Sequence, residues 1–223
     1  MKATKKELFY NEFSDKWESE INKKETLKRL NVVYDRLLKG INLKGKKFLE
    51  VGCGMGYFSE MAQKNGAIVT GIDVGKKLVE KSRQKVPNGK FIIASISNLP
   101  FKDETFDLIL CTEVIEHVEN QNKGLSEVFR VLKKGGYLVL TTPNRIFKPI
   151  FDFLSLVGIR PYHGHEKWFY LSKLRKLLSY KGNILKEEYF NFVYISTICD
   201  YFEKFKLLRH FMINQGYLVM KKW

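Results

Sequence analysis

The side chains best suited to chemistry in this 223-residue chain fall within residues 48–73. Glu50 precedes glycines at 52, 54 and 56, and Asp73 stands 21 positions beyond Gly52. Glycine costs conformational entropy, so three in five residues predict a loop from which side chains are excluded. Such a loop lets a ligand approach the backbone, and the next helix points free N–H groups at it. An acidic residue about 20 positions on is where a ribose diol would be held. The expected ligand is an adenosine-bearing cofactor. A loop that merely packs helix on strand is the alternative.

The spacing is not that of a dinucleotide fingerprint, which needs G-x-G-x-x-G. Residue 57, where that pattern wants its third glycine, is Tyr. The charge of Glu50 would repel a pyrophosphate. It suits a ligand with a cationic group, such as the amino group or sulfonium of S-adenosylmethionine. A second set of residues could move protons: Glu113, Glu116 and His117, then His163 and His165. If 113–117 is helical, its three members share one face, because i, i+3 and i+4 are neighbours.

Elements that would position these residues alternate along the chain. Strands are expected at 46–51, 67–72, 90–95, 106–111 and 136–142, and helices at 57–64, 75–85 and 122–133. Nearly continuous apolar strands with crossover helices predict a parallel sheet covered on both faces. Residues 5–39 read as a helix with an apolar stripe through Trp17, Ile21, Leu27, Leu30, Val33, Tyr34 and Leu37, stopped by Gly40. Gly135-Gly136 reads as the break between helix and strand. Residues 145–170 read as irregular, with Pro149, Gly158, Pro161 and Gly164 as breakers. A helix at 171–181, a strand at 184–193, a helix at 196–213 and a strand at 217–222 complete the pattern.

The bulk composition, 44% hydrophobic and 14% aromatic, is that of a globular chain with ample core for one domain. No secretory signal or membrane span is read, and three cysteines (Cys53, Cys111, Cys199) without metal spacing fit a reduced, cytoplasmic setting. The net charge of +15 is uneven. Residues 1–48 hold 13 basic and 7 acidic side chains, 49–144 hold 12 and 11, and 145–223 hold 14 and 6. The excess outside the glycine-loop half suits an anionic substrate, an anionic membrane surface or nucleic acid, or is simply a lysine-rich soluble surface.

Four landmarks in order resemble the class I S-adenosylmethionine-dependent methyltransferases of the ubiquinone and menaquinone methyltransferase-like group. They are Glu50-Val51-Gly52-Cys53-Gly54-Met55-Gly56-Tyr57-Phe58 and Gly71-Ile72-Asp73. Then come Asn98-Leu99-Pro100-Phe101 with Phe106 to Val118, and Val131 to Asn144. The resemblance is close over residues 45–145 and loose at the ends, where Tyr10-Asn11-Glu12-Phe13 is similar to the family's entry helix.

The resemblance implies an α/β fold: a Rossmann-like, seven-stranded, mostly parallel sheet with an antiparallel last strand and helices on both faces. It implies one domain over 1–223, with a helical cap at 1–44, a cofactor core at 45–145 and an acceptor-shaping part at 146–223. The implied cofactor is S-adenosyl-L-methionine, held by Glu50, Gly52, Cys53, Gly54, Gly56, Asp73, Val74, Ser95, Ile96 and Thr112. Ser95 is a departure, because an Asp in a Gly-Asp-Ala sequence often accepts from the adenine amino group in this family. Here Ala94-Ser95-Ile96 occupies that place, and a hydroxyl is the weaker acceptor.

His117, Glu116 and His165 are the candidate catalytic residues, with His165-Glu166-Lys167-Trp168-Phe169 similar to a segment of ubiquinone-type O-methyltransferases. Some relatives use a triplet like Glu113, Glu116 and His117 for a divalent metal. In others the His packs at the site floor, and no metal site is assigned here. The expected reaction is O-methylation of an aromatic, lipidic or glycosidic small molecule, with possible peripheral contact to an anionic membrane or substrate. An RNA methyltransferase, or a cofactor-binding partner protein without activity, are the alternatives.

Overall fold

The computed structural model describes residues 23–157, 166–192 and 212–223. Among them are helices α1 (Lys23–Asn31), α2 (Tyr57–Lys64), α3 (Lys76–Lys85), α4 (Gln121–Val131), α5 (Lys148–Leu156) and α6 (Leu171–Lys181). Strands are β1 (Lys47–Val51), β2 (Ile68–Asp73), β3 (Lys90–Ile93), β4 (Phe106–Thr112), β5 (Leu132–Pro143), β6 (Gly182–Phe192) and β7 (Met212–Lys221). They form one sheet in the order β3-β2-β1-β4-β5-β7-β6. β1 to β5 run parallel, while β7 lies antiparallel between β5 and β6. The expected mostly parallel sheet with a reversed last strand is what forms.

Period-two alternation gives the sheet two apolar faces. Leu49, Ile109, Cys111, Leu138, Leu140, Tyr217 and Val219 face α4 and α6. Phe48, Leu108, Leu110, Val139 and Leu218 face the opposite way, toward α2, α3 and the N-terminal segment through Val32, Val33 and Leu37. That segment leaves α1 through a wider, π-helical stretch over Val32–Leu37. Residues 5–22 of the expected long helix lie outside the described residues.

Three expectations change. Residues 145–170 are not wholly irregular: a 3-10 turn (Arg145–Phe147) leads into α5. Pro149 sits in the first turn of α5, where its missing N–H has no partner to lose. Strand β7 starts at Met212, so residues 212–213 extend the sheet instead of ending a helix; the rest of the expected 196–213 helix lies outside the described residues. Gly135-Gly136 does not separate α4 from its strand. β5 begins at Leu132, and its pairing with β4 slips between Phe106↔Leu132 and Leu108↔Tyr137. The excess residues loop out in a bulge, where Gly135 takes φ 69°.

Candidate cofactor and acceptor site

The order β3-β2-β1-β4 aligns the carboxyl ends of four strands, and the chain reverses its direction of winding between β1 and β4. Ligands of open α/β sheets bind at such a switch point. The glycine loop leaves β1 there. Gly52, Gly54 and Gly56 have φ of 72°, 51° and 78°, a region that other residues enter at a cost. A Cβ on Gly52 would lie 2.3 Å from Val114 Cγ2, whereas one on Gly54 would meet no heavy atom within 4 Å. The loop is therefore closed by packing at Gly52 and open at Gly54, a cradle that a ligand can enter. Gly52 and Cys53 both donate their N–H to Ile72 O at 2.8 Å, which ties the loop to β2.

Asp73 ends β2 and is buried. Its Oδ2 accepts from Gly54 N–H and its Oδ1 from Gly75 N–H, each at 2.9 Å. Each carboxylate oxygen keeps a further lone pair for a diol. Burial raises the Asp73 pKa, and the N–H groups of Gly75, Gly54 and Val74 oppose the shift. Glu50, buried within β1, accepts from Ser59 Oγ of α2 at 2.5 Å. Burial pushes its pKa up to about 8, against the Ser59 bond. Burial thus favours the neutral carboxyl, and a nearby cation would favour its ionised form.

Cys53 is buried, and desolvation raises its thiol pKa well above the ordinary value. Ser82 of α3 donates to Gly54 O at 2.9 Å and reaches Cys53 Sγ at 3.6 Å. Nothing in the sequence marked Ser82 as a brace, because it lies 28 residues along on another helix.

Ser95 is exposed past β3, and its Oγ accepts from Ser97 N–H at 3.3 Å. Ile96 turns its side chain into the core near Gly124. Thr112 ends β4, half-buried.

Beyond Thr112 the backbone turns sharply. Glu113 adopts φ 54°, a left-handed conformation that is costly for a residue with a Cβ. Residues Ile115–His117 form a 3-10 turn, so Glu113, Glu116 and His117 do not lie on one α-helical face. Glu113 is held by Thr141 Oγ1 at 2.8 Å and Asn214 Nδ2 at 2.9 Å, from β5 and β7. Glu116 accepts from Thr142 Oγ1 at 2.9 Å, and His117 Nε2 stands 3.9 Å from Glu116 Oε1. Burial, then the neighbouring charge of Glu113, raises the Glu116 pKa well above the usual carboxylate range. For Glu113, burial raises the pKa and Arg29 of α1 opposes it. Arg29 is itself paired with Glu25. Thr141 and Thr142 fall within a landmark of the resemblance but nothing there marked them as partners of the carboxylates, and Asn214 and Arg29 carried no local signal; the folded chain brings Thr141 and Asn214 to Glu113 and Thr142 to Glu116. Among the described residues no group of three His, Cys, Asp or Glu side chains is placed to hold a metal ion. His163 and His165 lie outside the described residues.

Fold and loop together define a doubly wound α/β protein with a glycine cradle for an adenosine cofactor. A family model described as a methyltransferase domain matches residues 49–140. The ubiquinone biosynthesis O-methyltransferase of Coxiella burnetii is 34% identical over 144 residues, covering 62% of this chain and 62% of that protein. The match therefore spans less than two thirds of that relative's length. The protein of the same name from Vibrio atlanticus is 33% identical over 161 residues, covering 67% of each chain. The crystal structure of the PH0226 protein from Pyrococcus horikoshii OT3 has a TM-score of 0.71 at 21% identity, over 91% of this chain and 94% of that one; this likeness speaks for the fold alone. The chain belongs to the class I S-adenosylmethionine-dependent methyltransferases.

Proposed function

We propose that the protein transfers the methyl group of S-adenosylmethionine to an oxygen of a small-molecule acceptor, aromatic, lipidic or glycosidic in character. One observation carries this reading: the left-handed glycine loop is braced by Asp73 and Ser82, open at Gly54, and one strand away from a buried Glu116. The names of the two relatives support oxygen as the accepting atom.

The bound cofactor supplies a methyl on a cationic sulfur, which needs little covalent help. The chain's task is alignment and exclusion of water. In this reading Glu50, Cys53 and the loop backbone at 52–56 hold the methionine part. Asp73 and the adjoining Val74 hold the ribose. The Ser95 hydroxyl and Ile96 N–H face the adenine, and Thr112 borders the transferred group. His117 takes the acceptor proton, and Glu116 steadies its ring. Residues 146–223 shape the acceptor pocket, and the protein works in the cytoplasm.

Incubating the protein with methyl-labelled cofactor and cell lysate, then separating lipid, small-molecule, RNA and protein fractions, tests the acceptor class. Label is expected in the lipid or small-molecule fraction. Label in RNA would overturn the reading, and cofactor binding without label anywhere would make the protein a non-catalytic partner. The adenine assignment has its own test: Ser95→Asp should tighten cofactor binding in calorimetry, and unchanged binding would remove Ser95 from the site.

A further inference from the structure

Arg29 of α1 carries a buried donor that the fold leaves idle. Its Nε is sealed from solvent and has no hydrogen-bond partner, alone among the buried side-chain nitrogens and oxygens of the described residues. A buried donor left unmade costs about 1–3 kcal/mol, and more where the group is charged. That cost is offset where a group from outside the chain completes the bond.

The two sides of the guanidinium differ. On the outer side, Nη2 donates to Glu25 Oε1 at 2.5 Å, one turn back along α1. The Glu25 side chain is 41% exposed and that of Arg29 28%, so this pair is partly solvated. On the inner side stand the carboxyl groups past β4. Burial opposes the charge of Arg29, yet its pKa is raised, by Glu113 first, then by Glu25 and Glu116. The stretch that follows α1 keeps this placement. Leu37 lies over β7 and β5, where a Cβ on Gly216 would be 3.2 Å from Leu37 Cδ1 and 3.4 Å from Thr141 Cγ2. Thr141 is the residue that donates to Glu113. The carboxyl groups acting on Arg29 are therefore those of the acceptor side, not Glu50 and Asp73 of the cofactor loop.

An idle donor on a cation is completed best by an anionic oxygen. The chain's own carboxyl groups are engaged elsewhere: Glu113 accepts from Thr141 and Asn214, and Glu116 from Thr142. Burial favours the neutral form of both, so they do little to repel an incoming anion. The net charge of +15 draws anionic solutes toward the protein. We propose that Arg29 is a specificity residue for the acceptor: its Nε binds a carboxylate that the acceptor carries apart from the oxygen to be methylated. This rests on the acceptor reading above and narrows its substrate class to anionic small molecules. Held at the carboxylate, the acceptor is fixed at one end, and its hydroxyl is left free to meet the methyl donor beside Glu116 and His117.

Two measurements test this. In the first, the protein saturated with S-adenosylhomocysteine is titrated calorimetrically with benzoate and with benzamide, its neutral counterpart. Benzoate should bind saturably and about tenfold more tightly than benzamide. Arg29→Gln should weaken benzoate about tenfold, and Arg29→Lys, which keeps the charge without the Nε donor, by less. Glu25→Gln frees the guanidinium from its outer partner and should tighten benzoate about twofold to fivefold. A merely structural Arg29 would not respond in that direction, and this variant decides the matter should Arg29→Gln fail to fold. Affinity for S-adenosylhomocysteine should be the same in all of these proteins. In the second measurement, the labelled product of the lysate assay should be retained on an anion exchanger. Arg29→Gln should then need about tenfold more of the lysate's small-molecule fraction for half-maximal rate, with little change in the maximal rate. Absence of saturable benzoate binding, equal binding of benzamide, benzoate binding unaltered in Arg29→Gln or not tightened in Glu25→Gln, or a product that passes the exchanger would each overturn the proposal. So would weakened S-adenosylhomocysteine binding in Arg29→Gln, which would assign Nε to the cofactor's own carboxylate. Absence of label from every lysate fraction would remove the transferase reading, and the benzoate titration would still decide the role of Arg29.

Discussion

Gly52 and Gly54 share a left-handed backbone but differ in what surrounds them, and this difference predicts distinct losses. Gly52→Ala drives a Cβ into Val114, so it should lower stability by about 1–3 kcal/mol and distort the loop. Gly54→Ala meets no atom in the fold, so it should lose only the left-handed backbone cost of about 1 kcal/mol while still losing cofactor binding, because its methyl fills the cradle. Chemical denaturation and calorimetry on the two variants separate the effects. Glu50 makes a pH prediction. Its folded pKa, about 8, lies above its ordinary value of 4.5, so the folded state holds the proton more tightly than the unfolded chain. That contribution is full below about 4.5 and is lost as pH rises through about 8. The thermal midpoint of the ligand-free protein should therefore fall across this window, and less steeply in Glu50→Gln. An equal slope in both proteins would remove Glu50 as the cause.

Elements differ in how much of themselves they announce. β1, α2 and β2 were legible because apolar runs, glycine spacing and a closing acid all lie within 26 consecutive residues. α2 falls on its expected residues 57–64. α5 was obscured by Pro149, a breaker inside a helix but a favoured residue in its first turn. The contacts of Glu113 were not legible: Thr141, though inside a landmark, is 28 residues away and Asn214 is 101. Thr141 arrives through the pairing of β5 on β4, and Asn214 through β7 inserting between β5 and β6, an arrangement that no local pattern encodes. This insertion carries a prediction. Asn214→Leu keeps the volume but removes a donor from a buried carboxylate, at a cost of about 1–3 kcal/mol. The loss should appear in denaturant unfolding, and Asn214→Asp should not restore it, because a second carboxylate repels the first. Cofactor affinity, set at β1 and β2, should change little.

For the molecule as a whole, the cofactor loop joins the ends of two adjacent central strands, so occupancy there should stabilise the entire sheet. At about 100 times its dissociation constant, S-adenosylmethionine should add about 2.7 kcal/mol, or roughly 5–10 °C in thermal midpoint for a chain of this size. Asp73→Ala should abolish the increment, and a shift retained in that variant would move the cofactor elsewhere. The charge of +15 belongs to this scale too, since its excess lies outside the cofactor half and can act on partners without disturbing the loop. One feature of the loop also supplies a clock. Cys53 is buried against Ser82 with its thiol held neutral, so an alkylating reagent can reach it only during excursions in which the loop lifts from β2 and α3. The alkylation rate at Cys53, followed by peptide mass, would thus count loop openings per unit time, and bound cofactor should slow it in proportion to occupancy.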